Sequence, residues 1–315
     1  MSEQKRPRVI GVGAANVDVH GQSRKAIVMR DSNPSYMASS VGGVTRNILE
    51  NLARQGVPVA LLSAVGDDLY GEKIVRDSTA AGIDMSHLRV KHGAVSSTYI
   101  AILDERGDML LGMSDMRIIE DLPNAYLDDN VWLLREAEAI VCDACLPLPL
   151  LDHLVSEAAG DTPVLIDPVS TAYARQMEPI AGKFAAIKPN VMELSILSGL
   201  PTGTEAEIER ACEALLKRGT KRIAVSRGDK GCYYADAEGN RVFRALRPVS
   251  QMVNATGAGD AFMAGLTHAL VDRLSVEEML DYALASGITA IQSMTTINPD
   301  MSDALVRENR NRYRL

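Results

Sequence analysis

The 315-residue sequence predicts an α/β fold, with a mostly parallel central sheet covered by helices on both faces and a small β lid. Three observations carry that prediction. Short apolar runs alternate with segments of helical period along most of the chain. Most of those runs close on a polar residue, as strands do whose carboxyl ends open toward a ligand. Two extended stretches, about residues 20–41 and 92–116, fall outside the alternation and suit a separate small sheet. No repeat or low-complexity linker divides the chain, so residues 1–315 read as one domain.

The elements follow in order. "RPRVIGVGAA" reads as a buried strand, and "GQSRKAIVMRDSNPSYMASS" after it is extended, without helical period. A helix runs from Asn47 to about Gln55, "VPVALLSAVG" is the next strand, and Leu69–Ala81 the next helix. "SSTYIAILDERGDMLLGMSD" alternates weakly and turns at "DERGD", a hairpin signal. "AEAIVCDA", "TPVLIDP", "FAAIKPN" and "KRIAVSRG" are further strands, interleaved with helices at Leu148–Ala159, Val191–Ser198 and Glu205–Arg218. Asp167, Asn190 and Ser226 stand at strand carboxyl ends, where ligands bind in open parallel sheets.

Composition removes several function classes. The formal net charge is -8 and no long basic run exists, which argues against a nucleic-acid polymer as partner. Aromatics make up only 4%, too few for a stacking platform. No apolar stretch approaches the ~18 residues of a membrane span. The amino terminus passes from a charged tail directly into a strand, unlike a secretory leader. Cys142 and Cys145 have C-x-x-C spacing, but no second ligand pair follows, so all four cysteines read as free thiols of a cytoplasmic protein.

The segment with the most chemistry is "VNATGAGDAFMAGL", Val253–Leu266. Glycines at 257 and 259 free the backbone so that successive N–H groups can face one concavity. Helical period starts at once with Phe262 and Leu266, which adds the partial positive charge of a helix amino terminus. Phosphate oxygens are the natural guests, and Asp260 would stand beside them. Helix-terminal charge would keep that carboxylate ionised and able to take a hydroxyl proton. A helix cap alone needs an acid, but neither two glycines nor Thr256. No P-loop is present, and "GVGAAN" is only half a dinucleotide fingerprint.

"GGVTRNILENLARQG" (Gly42–Gly56) and "NATGAGDAFMAGL" resemble the two signatures of the ribokinase-like (PfkB) carbohydrate kinases, and "GAANVDV", "IDPVS", "KPNVMEL" and "SRGDKG" follow the family's order. The resemblance covers essentially the whole chain. It implies a three-layer α/β sandwich with a β lid, ATP as donor, magnesium, and phosphorylation of a sugar-like hydroxymethyl group. "RDSNPSYMASSVGGVTRN" and "SSTYIAILDERGDMLLGMSDM" resemble the branch that acts on the nucleoside pseudouridine. That branch tends to carry asparagine where most of the family has aspartate before the glycine turn, and Asn254 stands there.

The resemblance also implies roles. Asp260 matches the general base, and Gly257, Ala258 and Gly259 the anion hole. Asn16 and Asp18 match positions holding sugar hydroxyls, with Gly42, Gly43 and Asn47 lining that pocket; a plain strand-end turn is the alternative for the first two. Asn190 and Glu193 match the "N-x-x-E" beside ATP and its metal, at a spacing that equally suits a helix capping box. Ser226, Gly228, Gly231 and Thr256 match the nucleotide side, and Asp167 faces the phosphates or the magnesium shell. Potassium near Asn254 is expected to matter little, since the amide lacks a charge. Tyr99 or Ser97, and Ser114 or Asp115, are the lid residues placed to meet the base. The remaining expectations are a nucleoside substrate and a homodimer formed through the lid.

Overall fold

A computed structural model describes residues 6–247, 249 and 252–314. Its strands are β1 (Val9–Val12), β2 (Asn16–Ser23), β3 (Ser35–Gly42), β4 (Val59–Leu62), β5 (Ala64–Gly66), β6 (Ile83–Asp84), β7 (Arg89–Lys91), β8 (Thr98–Leu103), β9 (Met109–Asp115), β10 (Ala139–Asp143), β11 (Val164–Asp167), β12 (Ala186–Ile187), β13 (Arg222–Ser226), β14 (Cys232–Asp236) and β15 (Arg241–Arg244). Nine form the central sheet, in the order β15-β14-β13-β12-β11-β10-β1-β4-β6. The neighbours from β6 to β13 pair in parallel, and the β14–β15 hairpin closes one edge antiparallel.

Alternation along these strands builds two cores. Ile10, Val12, Ile140, Cys142 and Ile166 point to one face, where they pack with helices Val191–Ser198 and Glu205–Lys217. Val9, Val141, Leu165 and Ala224 point to the other, toward helices Val44–Arg54, Ala258–Val271 and Val276–Ile291. A strand covered on both faces is apolar at nearly every position, which is why the "AIVCD" and "VLID" runs show no polar alternation. The result is the predicted three-layer sandwich.

The lid is a separate sheet, in the order β3-β2-β8-β9. It begins earlier than residue 20, because β2 starts at Asn16 and pairs antiparallel with β3 and parallel with β8. The expected single strand over residues 57–66 divides instead. β4 stays in the central sheet, whereas β5 turns away to pair with β7. The helix expected from Asn47 starts three residues sooner, at Val44, capped by Gly43 at φ 101°. Among the described residues no helix is long and apolar enough to cross a membrane, and all four cysteines are free.

Candidate active site

The glycine turn and Asp260 lie where the sequence places them. Gly257 adopts φ 81° and caps helix Ala258–Val271, so Asp260 falls in the first turn. A Cβ on Gly257 would collide with the carbonyl oxygen of Thr296, so only glycine fits there. Asn254 braces the approach: its Oδ1 accepts from the Thr256 N–H at 3.0 Å and its Nδ2 donates to the Met294 carbonyl at 3.1 Å.

Three strand and helix ends converge on Asp260. Asn47 Nδ2 donates to Asp260 Oδ2 at 2.9 Å, joining helix Val44–Arg54 to the turn. From the ends of β11 and β12 come Asp167 and Lys188, paired at 2.8 Å and both buried. The expectation that helix-terminal charge keeps Asp260 readily ionised needs correction. Burial of its carboxyl and the negative charges of Asp167 and Asp143 outweigh the Asn47 hydrogen bond and the Lys188 ammonium, and push it up to about 7. A carboxyl tuned near neutrality can both release and take up a proton around pH 7.

A second cluster holds the opposite wall. Asp143, fully buried at the end of β10, accepts from the N–H groups of Ala14 (2.9 Å) and Thr45 (3.1 Å) and from Thr45 Oγ1 (2.6 Å). It thereby ties the turn before β2 to the start of helix Val44–Arg54. Asn16 and Asp18 share a face of β2, with Asn16 Nδ2 donating to Asp18 Oδ1 at 2.6 Å. Burial pushes the Asp18 carboxyl up. Gly42 leaves room for that carboxylate, since a Cβ would overlap it, and Gly43 packs on the Ala14 backbone.

A pfkB family carbohydrate kinase model matches residues 6–304. The chain belongs to that family. It is 33% identical to the pseudouridine kinase of Escherichia coli K12, over 96% of each chain. A Clostridium perfringens structure described as a candidate sugar kinase superposes with a TM-score of 0.89 at 32% identity, covering 98% of this chain and 97% of that one. Arabidopsis thaliana ribokinase, solved with ribose and ATP, gives a TM-score of 0.87 at 22% identity over 96% of this chain and 98% of its own. The protein is therefore an ATP-dependent carbohydrate or nucleoside kinase with a ribokinase-like fold.

In this kinase the residues expected on the nucleotide side, Asn190, Ser226, Gly228 and Gly231, lie at the ends of β12 and β13. Asn190 caps helix Val191–Ser198 and bridges to Ser226, whose N–H donates to the Pro189 carbonyl. Asn190 and Glu193 make a complete capping box, so the structural alternative for that spacing is realised. Burial pushes the Glu193 carboxyl up. Gly228 and Gly231 take φ 63° and 79° in the turn after β13, and the Arg244 backbone blocks any side chain at 231. Thr256 is exposed at the mouth of the glycine turn.

The lid residues divide. Strand register places Ser40, Asp18, Tyr99 and Ser114 in one row across the sheet, on the face that Asp18 shares with Asn16. The Tyr99 ring lies over Gly112, with its hydroxyl 3.4 Å from Met109 Sδ. Ser97 is buried, its hydroxyl without a partner. Asp115 pairs with Thr98 in the adjacent row, on the other face, and is bound by the Arg117 guanidinium at 2.6 Å, which holds its carboxyl down at about 2. It does not stand with Tyr99 as expected. Lys188, Asp143 and Thr45 are the site residues that sequence reasoning missed. The signal for two of them was present in "IVCDA" and "IKPN", each a charge ending an apolar strand.

Proposed function

We propose that this kinase transfers the γ-phosphoryl group of ATP to the 5′-hydroxyl of pseudouridine. The observation that carries the reading is Asp260, held by Asn47 in the first turn beyond Gly257 and tuned to about 7. Asn16 and Asp18 hold the ribose hydroxyls and set the 5′-oxygen beside Asp260. Asp260 accepts the hydroxyl proton as the oxygen attacks the γ-phosphorus, and the bond to the β-phosphate oxygen breaks to release ADP. The backbone N–H groups of residues 257–259 receive the charge that gathers on the transferring group. Asn190, Ser226, Gly228 and Gly231 line the nucleotide side. Similarity to the pseudouridine kinase of E. coli supports the nucleoside.

Burial and Asp167 push up both the Glu193 and the Asp260 carboxyls, and a triphosphate would add more negative charge; among the described residues no three carboxylates lie close enough to hold a cation without the phosphates. Magnesium bound there would neutralise the bridged phosphates. Asp167 and Glu193 would hold its water shell.

The lid is the proposed contact between two copies. On the face opposite Asp18 it exposes Met37 (66%), Ile100 (40%), Leu111 (53%) and Met113 (62%), a continuous apolar area on neighbouring strands.

Steady-state kinetics with pseudouridine, uridine, cytidine, adenosine and ribose test the substrate. Pseudouridine presents one ring N–H more than uridine, and a buried acceptor for it would favour pseudouridine by roughly ten- to two-hundred-fold. A higher kcat/KM for ribose or adenosine would overturn the substrate and leave the kinase.

A further inference from the structure

We infer that Lys188 is a catalytic residue of the phosphoryl transfer, its ammonium contacting the group in flight at the Gly257–Gly259 turn. The inference rests on the reading of that turn as the anion hole. Lys188 ends the "AAIKP" run, and only 5% of it is exposed, rare for a lysine. Its Nζ lies 2.8 Å from Asp167 Oδ2. The same nitrogen is 3.2 Å from where a Cβ on Gly259 would stand. Gly257 needs its glycine for a positive φ, but Gly259 sits in ordinary helical backbone. What glycine provides at 259 is close approach, so that the ammonium can lie against the turn itself.

The ammonium is also under-used. It has three donors, and among the described residues Asp167 is the one acceptor within reach. The remaining donors are available to an incoming oxygen. Paired with Asp167, the ammonium serves as a fixed positive charge. The hydroxyl proton goes to Asp260, the new P–O bond forms as the old one breaks, and the fixed positive charge meets the equatorial oxygens between them.

The competing explanation is that Lys188 only neutralises Asp167. A double-variant cycle separates the two. Lys188→Met is made in the wild type and in an Asp167→Asn background, where the carboxylate that pairs with the lysine is gone. Folding is followed by thermal denaturation. A catalytic role predicts a kcat loss of ~10²–10³-fold in both backgrounds, with a much smaller change in the nucleoside KM. It also predicts that ADP with aluminium fluoride, a mimic of the transferring group, binds ~10²-fold more weakly to Lys188→Met while ADP alone binds nearly as before. A kcat change under about threefold in the Asp167→Asn background, or equal weakening of ADP and its fluoride complex, overturns the proposal. The mimic measurement needs no turnover, so it decides even if Asp167→Asn is inactive. Failure of the anion-hole reading itself shows differently, as wild-type protein that binds the mimic no better than ADP.

Discussion

Asp260→Asn should make the protein more stable and nearly inactive at once. The carboxyl sits at about 7 in the fold, against a usual value near 4 in an unfolded chain, so the folded state binds its proton more tightly. Below about pH 4 the group is protonated in both states and has no effect. Between about 4 and 7 the unfolded chain releases the proton first, and wild-type stability falls as pH rises. Above 7 the loss levels off. Three units at ~1.36 kcal/mol each set a ceiling of ~4 kcal/mol, and partial solvent contact reduces the expected value to ~2 kcal/mol. The variant lacks this titration, and its amide oxygen can still accept from Asn47. Urea unfolding of both proteins from pH 4 to pH 9 should give curves that meet at the acid end and separate up to about pH 7. Turnover of the variant should fall ~10²–10⁴-fold with little change in substrate binding. Parallel stability curves would refute the perturbed carboxyl, and near-normal turnover would refute the base.

Excess chelator should abolish phosphoryl transfer and added magnesium restore it, measured as ADP release. Omitting potassium should alter the rate only a few-fold, because the Asn254 amide already bridges Thr256 and Met294; Asn254→Asp should strengthen the dependence, and a strong requirement in the wild type would contradict this. Gly257→Ala forces a side chain into φ 81° against the Thr296 carbonyl, so unfolding should show a loss of at least ~2 kcal/mol, and an unchanged midpoint would refute the collision. Met113→Asp places a charge on the exposed lid face and should shift sedimentation from dimer to monomer, whereas a wild type that sediments as a monomer would exclude the lid contact.

The parts of the fold visible in the sequence are those whose cause is local. Apolar strands ending at Asp167, Asn190 and Ser226, and the turn before Asp260, announce themselves within ten residues. The break after Leu62 does not, because β5 leaves the central sheet only to meet β7, some twenty-five residues on. Lys188 and Asp143 were visible as residues but not as functions. Asp143 acts on Ala14 and Thr45, about a hundred residues away or more, and no spacing rule connects them. Asp115 failed for a subtler reason. Ser114 and Asp115 are adjacent in sequence, yet the two-residue period of a strand sends them to opposite faces.

The central position of β1 also dictates when the middle of the sheet can close. Val9 pairs with Val59 on one side and with Ala139 on the other. During synthesis the strand must wait, one edge open, until some 130 further residues have emerged, and closing so long a loop is slow. The strand that ends the wait is also the one that carries Asp143. Its arrival covers the second edge of β1 and, in the same event, delivers the carboxylate that gathers Ala14 and Thr45 at the start of helix Val44–Arg54. A nascent chain interrupted before residue 143 thus carries Ala14 and Thr45 but not the carboxylate that bridges them.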